Sequence, residues 1–343
     1  PYLEAALERG RELLAKRQKD PAAMAKFEAS LMDNSKSGWS RLGAFDPAER
    51  SHALDLLGFE MQMVLPTFAF HQVAHAKDDD LLEAGAYTLN SAMSDFCRDD
   101  DRLRAIGYVP LSLGPKRAKE ILDQALQYGC FSLMVDTNEP DDKKLSFTHP
   151  DFDPIWATFA DANTPFCVHV AANGHYRSVP RSFNNNGKSE LELGGDAPMG
   201  ELGLQNIGQS AQLFLSAMIY DGVFERHPNL QSLCMEHAAT WLPSWLREMD
   251  FTAHMYKRKR KFAELPSETA KQRIKVSPFS GEQVGWIIDN VGPNMLVFAS
   301  DYPHPEGGSN PIKRFEDTMQ NCDQKTMDAF YYGNMQSVLN LPA

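Results

Sequence analysis

The sequence has no run of eighteen apolar residues, which excludes a membrane-spanning helix read from hydropathy. It has no signal-peptide pattern. Cysteine is sparse: five residues, widely spaced, with no CxxC pair. That argues against a disulfide framework and against a cysteine zinc site. Cys130, Cys167 and Cys234 lie within apolar runs and read as core thiols. Positive charge is also short, 34 Lys and Arg against 46 Asp and Glu, for a net charge of −12. Nucleic acid and anionic membranes both need a basic footprint, so neither is expected as a partner. The expectation is a cytoplasmic homo-oligomer acting on a small molecule. The basic run Lys257–Lys261 reads as the solvated end of a helix, which suits the macrodipole.

What is present is alternation. Residues 1–36 read as a surface helical pair carrying a partial stripe of Leu3, Ala6, Leu13 and Leu14, and 37–47 as a turn-rich connection. Asp46 reads as an N-cap with Pro47 behind it, opening a helix over 47–57 that stops at Gly58. Seven strand-like runs follow, at 61–68, 104–112, 130–138, 164–172, 230–238, 273–278 and 294–301. Helical patterns separate them, at 78–98, 115–128, 151–163, 208–226, 241–260 and 281–291, and two more close the chain near 309–321 and 323–338. Apolar, non-alternating strands interleaved with helices predict a parallel sheet covered by helices. A closed (β/α)₈ barrel needs eight strands. The alternative is an open doubly wound sheet. No strand-like run precedes residue 60 and the sequence opens on Pro1, so the barrel's first strand is expected upstream of Pro1. The unpatterned stretch 173–207 is long enough to be functional and would lie over the active face.

The late strands end in chemistry. His169 lies near the end of one, Glu236 and His237 near the end of the next, and Asp301 closes the last, with His304 three residues on. Imidazole and carboxylate together suit Zn²⁺, Fe²⁺ or Mn²⁺. A cation there would activate water and polarise a carbonyl, with Asp301 taking the proton. Neighbouring strand residues face opposite sides, so only one of Glu236 and His237 should point into the mouth. His71 and His75 read as loop residues after the first strand. Glu306-Gly307-Gly308 either shapes the pocket or forms a turn, and Trp241 and Trp245 read as packing residues.

These pieces carry a resemblance. Phe166-Cys167-Val168-His169, the stretch Asp221–Leu230, Glu236-His237 through Trp241-Leu242-Pro243, Ser300-Asp301-Tyr302-Pro303-His304 and Phe330-Tyr331-Tyr332-Gly333-Asn334 resemble the amidohydrolase superfamily. The branch is the amidohydrolase-related one, of metal-dependent hydrolases and decarboxylases, and the likeness runs over roughly 45–341. It implies an α/β fold, a distorted TIM barrel, with residues 1–46 as a helical segment packed on a barrel domain of 47–343. It implies His169 and Asp301 as metal ligands, Asp301 also as proton acceptor, and His237 as second-metal ligand or catalytic group. Of Glu236 and His237, it selects His237 for the mouth. It implies a divalent metal, zinc first, with iron or manganese as alternatives. His304, His175 and Arg177 are candidate substrate-binding residues. The family's first-strand ligand pair has no counterpart here and is expected upstream of Pro1. The function implied is hydrolysis or decarboxylation of a small organic acid, aromatic acids included. A non-haem iron oxygenase on the same scaffold and a metal-free binding protein are the alternatives.

Overall fold

The computed structural model describes residues 2–29, 41–136, 144–170, 179–189, 200–304, 307, 310–339 and 341. Six strands form one sheet: β1 Gln62–Val64, β2 Leu103–Val109, β3 Ser132–Val135, β4 Phe166–His169, β5 Ser232–Met235 and β6 Ile274–Val276. All neighbours are parallel and the spatial order is the chain order. A doubly wound sheet reverses its strand order at a switch point. This one never reverses, which is the progression of a barrel wall. Its strands are buried on both faces, with Ile106, Leu133, Met134, Phe166, Cys167, Leu233 and Cys234 fully enclosed.

The run at 294–301 does not extend the ladder. It makes one parallel bridge, Val276 to Leu296, held by Val276 N–H to the Met295 carbonyl (2.8 Å) and Val297 N–H to the Val276 carbonyl (3.0 Å). The next donor, Phe298 N–H, turns instead to the Phe330 carbonyl (2.9 Å). The Asn334 amide donates to the carbonyls of Pro293 and Leu296, 2.8 Å each. The closing helical turn thus takes over the bonding that a further strand would have supplied.

Helices α1 (Tyr2–Lys19), α2 (Pro21–Ala29) and α3 (Pro47–Leu57) precede the sheet. α3 starts and stops where its caps dictate: the Asp46 carboxylate accepts from Glu49 N–H at 2.9 Å, and Gly58 takes φ 70°. α4 (Phe68–Ala74) takes the last residue of the run read as strand 61–68 and continues beyond it. Pro66 lacks the N–H that a ladder needs, so β1 stops at Val64. His71 and His75 therefore sit on α4 and at its C-cap, not in a loop. α5 (Asp79–Cys97) is longer, capped by Asp78, and lays Leu82, Ala86, Leu89 and Met93 on the sheet.

Several further helices differ from expectation. Gly222, at φ 75°, divides 208–226 into Gln209–Tyr220 and Val223–Arg226. The helix read as 241–260 ends at Tyr256, just before the exposed basic run. Pro266–Arg273 is a helix without an apolar stripe. Within 173–207, two short helices lie at Arg181–Asn184 and Glu201–Gln205. Among the described residues no helix is long and apolar enough to cross a membrane. All five cysteines are free, and Cys97, Cys130, Cys167 and Cys234 are buried.

Candidate active site at the strand ends

The carboxyl ends of β4 and β5 and the end of the 294–301 segment meet at one edge of the sheet. β4 delivers His169, whose Nε2 lies 3.2 Å from Glu236 Oε2. Glu236 in turn shares a hydrogen bond with Asp301 and feels the charge of His304. Three segments far apart in sequence thus place one imidazole and two carboxyl groups in contact.

The backbone makes this possible by leaving the extended region. Glu236, Ala238 and Asp301 have φ of 58°, 55° and 53°. Left-handed geometry in residues other than glycine costs about 1–3 kcal/mol each and collects at functional sites. Here it interrupts the extended run after β5: Glu236 meets His169, while His237 is enclosed, close enough for the charges of both to act on it.

Side chains hold these turns in place. Trp241 Nε1–H donates to the carbonyls of His237 (2.9 Å) and Ala238 (3.0 Å), a polar role beyond the packing expected of it. Trp245 does pack on it edge-to-face at 5.2 Å. The Glu282 carboxylate accepts from Ala239 N–H, Thr240 N–H and Phe279 N–H, and from the Thr240 hydroxyl. Gly208 leaves room for the Trp241 ring, since a Cβ there would lie 2.6 Å from Trp241 Cδ1. Gly307 closes over the other turn: a Cβ would meet the Ser300 carbonyl oxygen at 2.1 Å. Glu306 and Gly308 lie outside the described residues.

His237 is fully enclosed. Its Nδ1 donates to the Ile207 carbonyl at 2.8 Å, which leaves Nε2 as the lone-pair nitrogen. That Nε2 is buried and has no hydrogen-bond partner among the described residues. Burial lowers the His237 pKa to about 4, partly offset by the Ile207 carbonyl, so the ring is neutral at physiological pH. Burial acts the other way on Glu236. The charge and hydrogen bond of His169, the hydrogen bond to Asp301 and the His304 charge outweigh it, and the carboxylate is held below its usual range. His304 bonds Thr67, Nε2 to Oγ1 3.2 Å, tying this loop to the start of α4.

The donors fit a divalent cation in kind. They comprise imidazole nitrogens, two carboxyl groups and a buried imidazole lone pair without a partner. Among the described residues, though, no group of three or more His, Cys, Asp or Glu side chains is spaced to enclose one. His175 and Arg177 lie outside the described residues. Sequence reading missed Glu282, whose signal is only its position between two strand ends, and assigned no role at the mouth to Glu236 or Thr67.

A family model described as Amidohydrolase matches residues 8–341. Solved structures share the fold at low identity. An amidohydrolase from Mycobacterium avium subsp. paratuberculosis K-10 is 22% identical, with a TM-score of 0.74 over 87% of this chain and 74% of that one. A 5-carboxyvanillate decarboxylase from Novosphingobium aromaticivorans DSM 12444, complexed with manganese and 4-hydroxy-3-methoxy-5-nitrobenzoic acid, is 17% identical, with a TM-score of 0.67 over 97% and 93%. A 2,6-dihydroxybenzoate decarboxylase from Rhizobium is 17% identical, with a TM-score of 0.64 over 85% and 87%. The chain belongs to the amidohydrolase family, as its motifs implied, and its sheet is the wall of that family's distorted barrel.

Proposed function

We propose that this amidohydrolase-family enzyme is a metal-dependent decarboxylase or hydrolase of a small aromatic acid. The observation that carries the reading is the meeting of His169, Glu236 and Asp301 beside the buried, unpartnered Nε2 of His237. His169 and Asp301 would hold the cation, with His237 Nε2 as a further donor. When bound, a divalent cation there lowers the pKa of a water toward neutrality and polarises a carbonyl or carboxylate oxygen. The structures of similar fold include a manganese-bound decarboxylase. The nitrogen and oxygen donors suit zinc and manganese alike.

The chain's own part is proton management. A hydrogen bond between two carboxyl groups needs one proton between them, and His169 stabilises Glu236 as the anion. Asp301 is then placed to move that proton. In decarboxylation it protonates the ring carbon bearing the carboxylate. The bond to the carboxylate breaks, its electron pair restores the aromatic ring, carbon dioxide leaves, and water returns the proton. In hydrolysis Asp301 acts in its ionised form, the shared proton having left to solvent, and takes the proton of the attacking water and passes it to the leaving group. His237, neutral and fixed through Ile207, orients water or substrate. His304, His175 and Arg177 would contact the substrate. Five free thiols suit a reducing cytoplasm, and a homo-oligomer completes the reading.

Asp301→Asn should lower turnover by roughly 10²–10⁴-fold with the denaturant midpoint unchanged. His169→Ala should lower the metal content of the full-length protein, measured by elemental analysis. Retained turnover in the first variant, with full metal in the second, would overturn the assignment.

A further inference from the structure

We propose that His71 and His75 together recognise the substrate's carboxylate, His71 as the main contact and His75 as a second one through its unpartnered Nε2. The inference rests on the aromatic-acid reading above and adds the recognition element to it.

The placement follows from the chain. Pro66 ends β1 and α4 starts at once, so the helix opens at the mouth. Spacing of i, i+4 sets both histidines on one helix face. Their rings are parallel, 6° apart, with centroids at 4.5 Å. The start of α4 is fixed to the catalytic loops at two points. Thr67 bonds His304 at 3.2 Å, and the fully buried Phe70 stands edge-on to His169 with centroids at 6.3 Å. His71, the next residue, is close enough for the His169 charge to act on it.

Two further observations point to a ligand. His75 Nε2 is shielded from water and has no hydrogen-bond partner among the described residues, a state that native structures rarely leave unexplained. Glu236 at the mouth is held as an anion, and its charge works against an incoming acid. An anionic substrate therefore gains from nearby N–H donors, which the two imidazoles supply. Neutral imidazole still donates one N–H, so recognition does not depend on charge. The stacked pair also offers a flat face to a planar ring.

The test is calorimetric binding to the full-length holoenzyme and its His71→Ala and His75→Ala variants. The ligands are 2,6-dihydroxybenzoate and vanillate, each paired with the phenol lacking its carboxylate, resorcinol and 2-methoxyphenol. Metal content is measured in parallel. Loss of a hydrogen bond to a charged group should weaken acid binding by about tenfold or more in His71→Ala. The shift should be smaller in His75→Ala, with the phenols within about twofold and metal content unchanged. Equal weakening of acids and phenols would overturn the inference, as would no change in either. A fall in metal content would also overturn it, by making the pair ligands. If the wild-type protein binds neither acid, the aromatic-acid reading itself fails, which separates the two outcomes.

Discussion

A carboxyl group taken out of water binds its proton more tightly unless something stabilises its charge. The two buried-side carboxylates at the strand ends resolve this in opposite ways. Glu236 keeps one edge open, a third of its side chain exposed, and His169 holds it ionised. Asp136, one residue beyond β3, is closed off. It accepts from the Tyr108 hydroxyl and from Ser112 N–H at 2.9 Å, yet burial outweighs both and its pKa is raised. Burial and the Asp136 charge together push the Tyr108 phenol well up. The consequence for stability has a definite sign. Asp136 binds its proton more tightly folded than unfolded, where its pKa is about 3.9. Its contribution is complete below that value and is lost as pH rises through the folded one. Asp136→Asn removes the titration while keeping an acceptor, and the Tyr108 hydroxyl can turn to accept from the amide. The stability of the variant relative to wild type, from urea midpoints, should therefore climb as pH rises from 4 to 8. A flat difference would exclude Asp136 as the titrating group. The raised proton affinity was not legible in the sequence, because it depends on Tyr108 and Ser112 lying beside a strand end.

At the level of elements, strands and capped helices were the readable part. α3 was set by Asp46, Pro47 and Gly58, all local signals. The order of strands followed from alternation, and His169 and Asp301 stood out as candidates because they close apolar runs. What escaped was set by contacts across the chain. Helix Pro266–Arg273 buries Ser267, Thr269 and Ala270, a face with no hydrophobic period to detect. The 294–301 run loses its ladder to Asn334 and the Phe330 carbonyl, residues some thirty positions later. The turn after β5 depends on Glu282, which receives four donors from two strand ends. Truncating it strands backbone N–H groups at a partly buried turn. Glu282→Ala should cost about 2–3 kcal/mol in denaturant unfolding, and Glu282→Gln less, since it keeps an acceptor oxygen. Turnover should fall with stability in both, because the same clamp aims Glu236 and His237. Full activity in Glu282→Ala would show that the turn holds its shape without it.

For the whole molecule, the question is how a helical segment at the N-terminal end bears on a site carried by the opposite end of the chain. Arg17 of α1 lies almost fully buried against Glu49 of α3, Nε to Oε1 2.6 Å and Nη2 to Oε2 2.6 Å, with its guanidinium over the Phe27 ring at 4.6 Å. Glu49 also accepts from Gly43 N–H at 3.2 Å, and Arg50 donates to the Gly43 carbonyl at 2.7 Å. Onto this cluster comes the site loop. Tyr302, next to Asp301, packs against Leu42 and Ala53, and its hydroxyl donates to the Leu42 carbonyl at 2.6 Å. Arg41 and Arg50 lie over its ring at 5.7 and 5.5 Å. The backbone that aims Asp301 is thus braced by residues from the first fifty. Most helical stability in proteins comes from tertiary packing, and Arg17 supplies a buried tertiary contact of α1. Removing one partner of a buried ion pair leaves the other charge uncompensated and costs about 3–5 kcal/mol, whereas replacing both by apolar groups is often neutral. Arg17→Met should therefore destabilise by about that amount, and Arg17→Met with Glu49→Leu should recover most of it. If the brace reaches the site, turnover follows the same pattern, falling in the single variant and returning in the double one. Turnover unchanged in Arg17→Met, despite the lost stability, would show that Asp301 is held by its own loop alone.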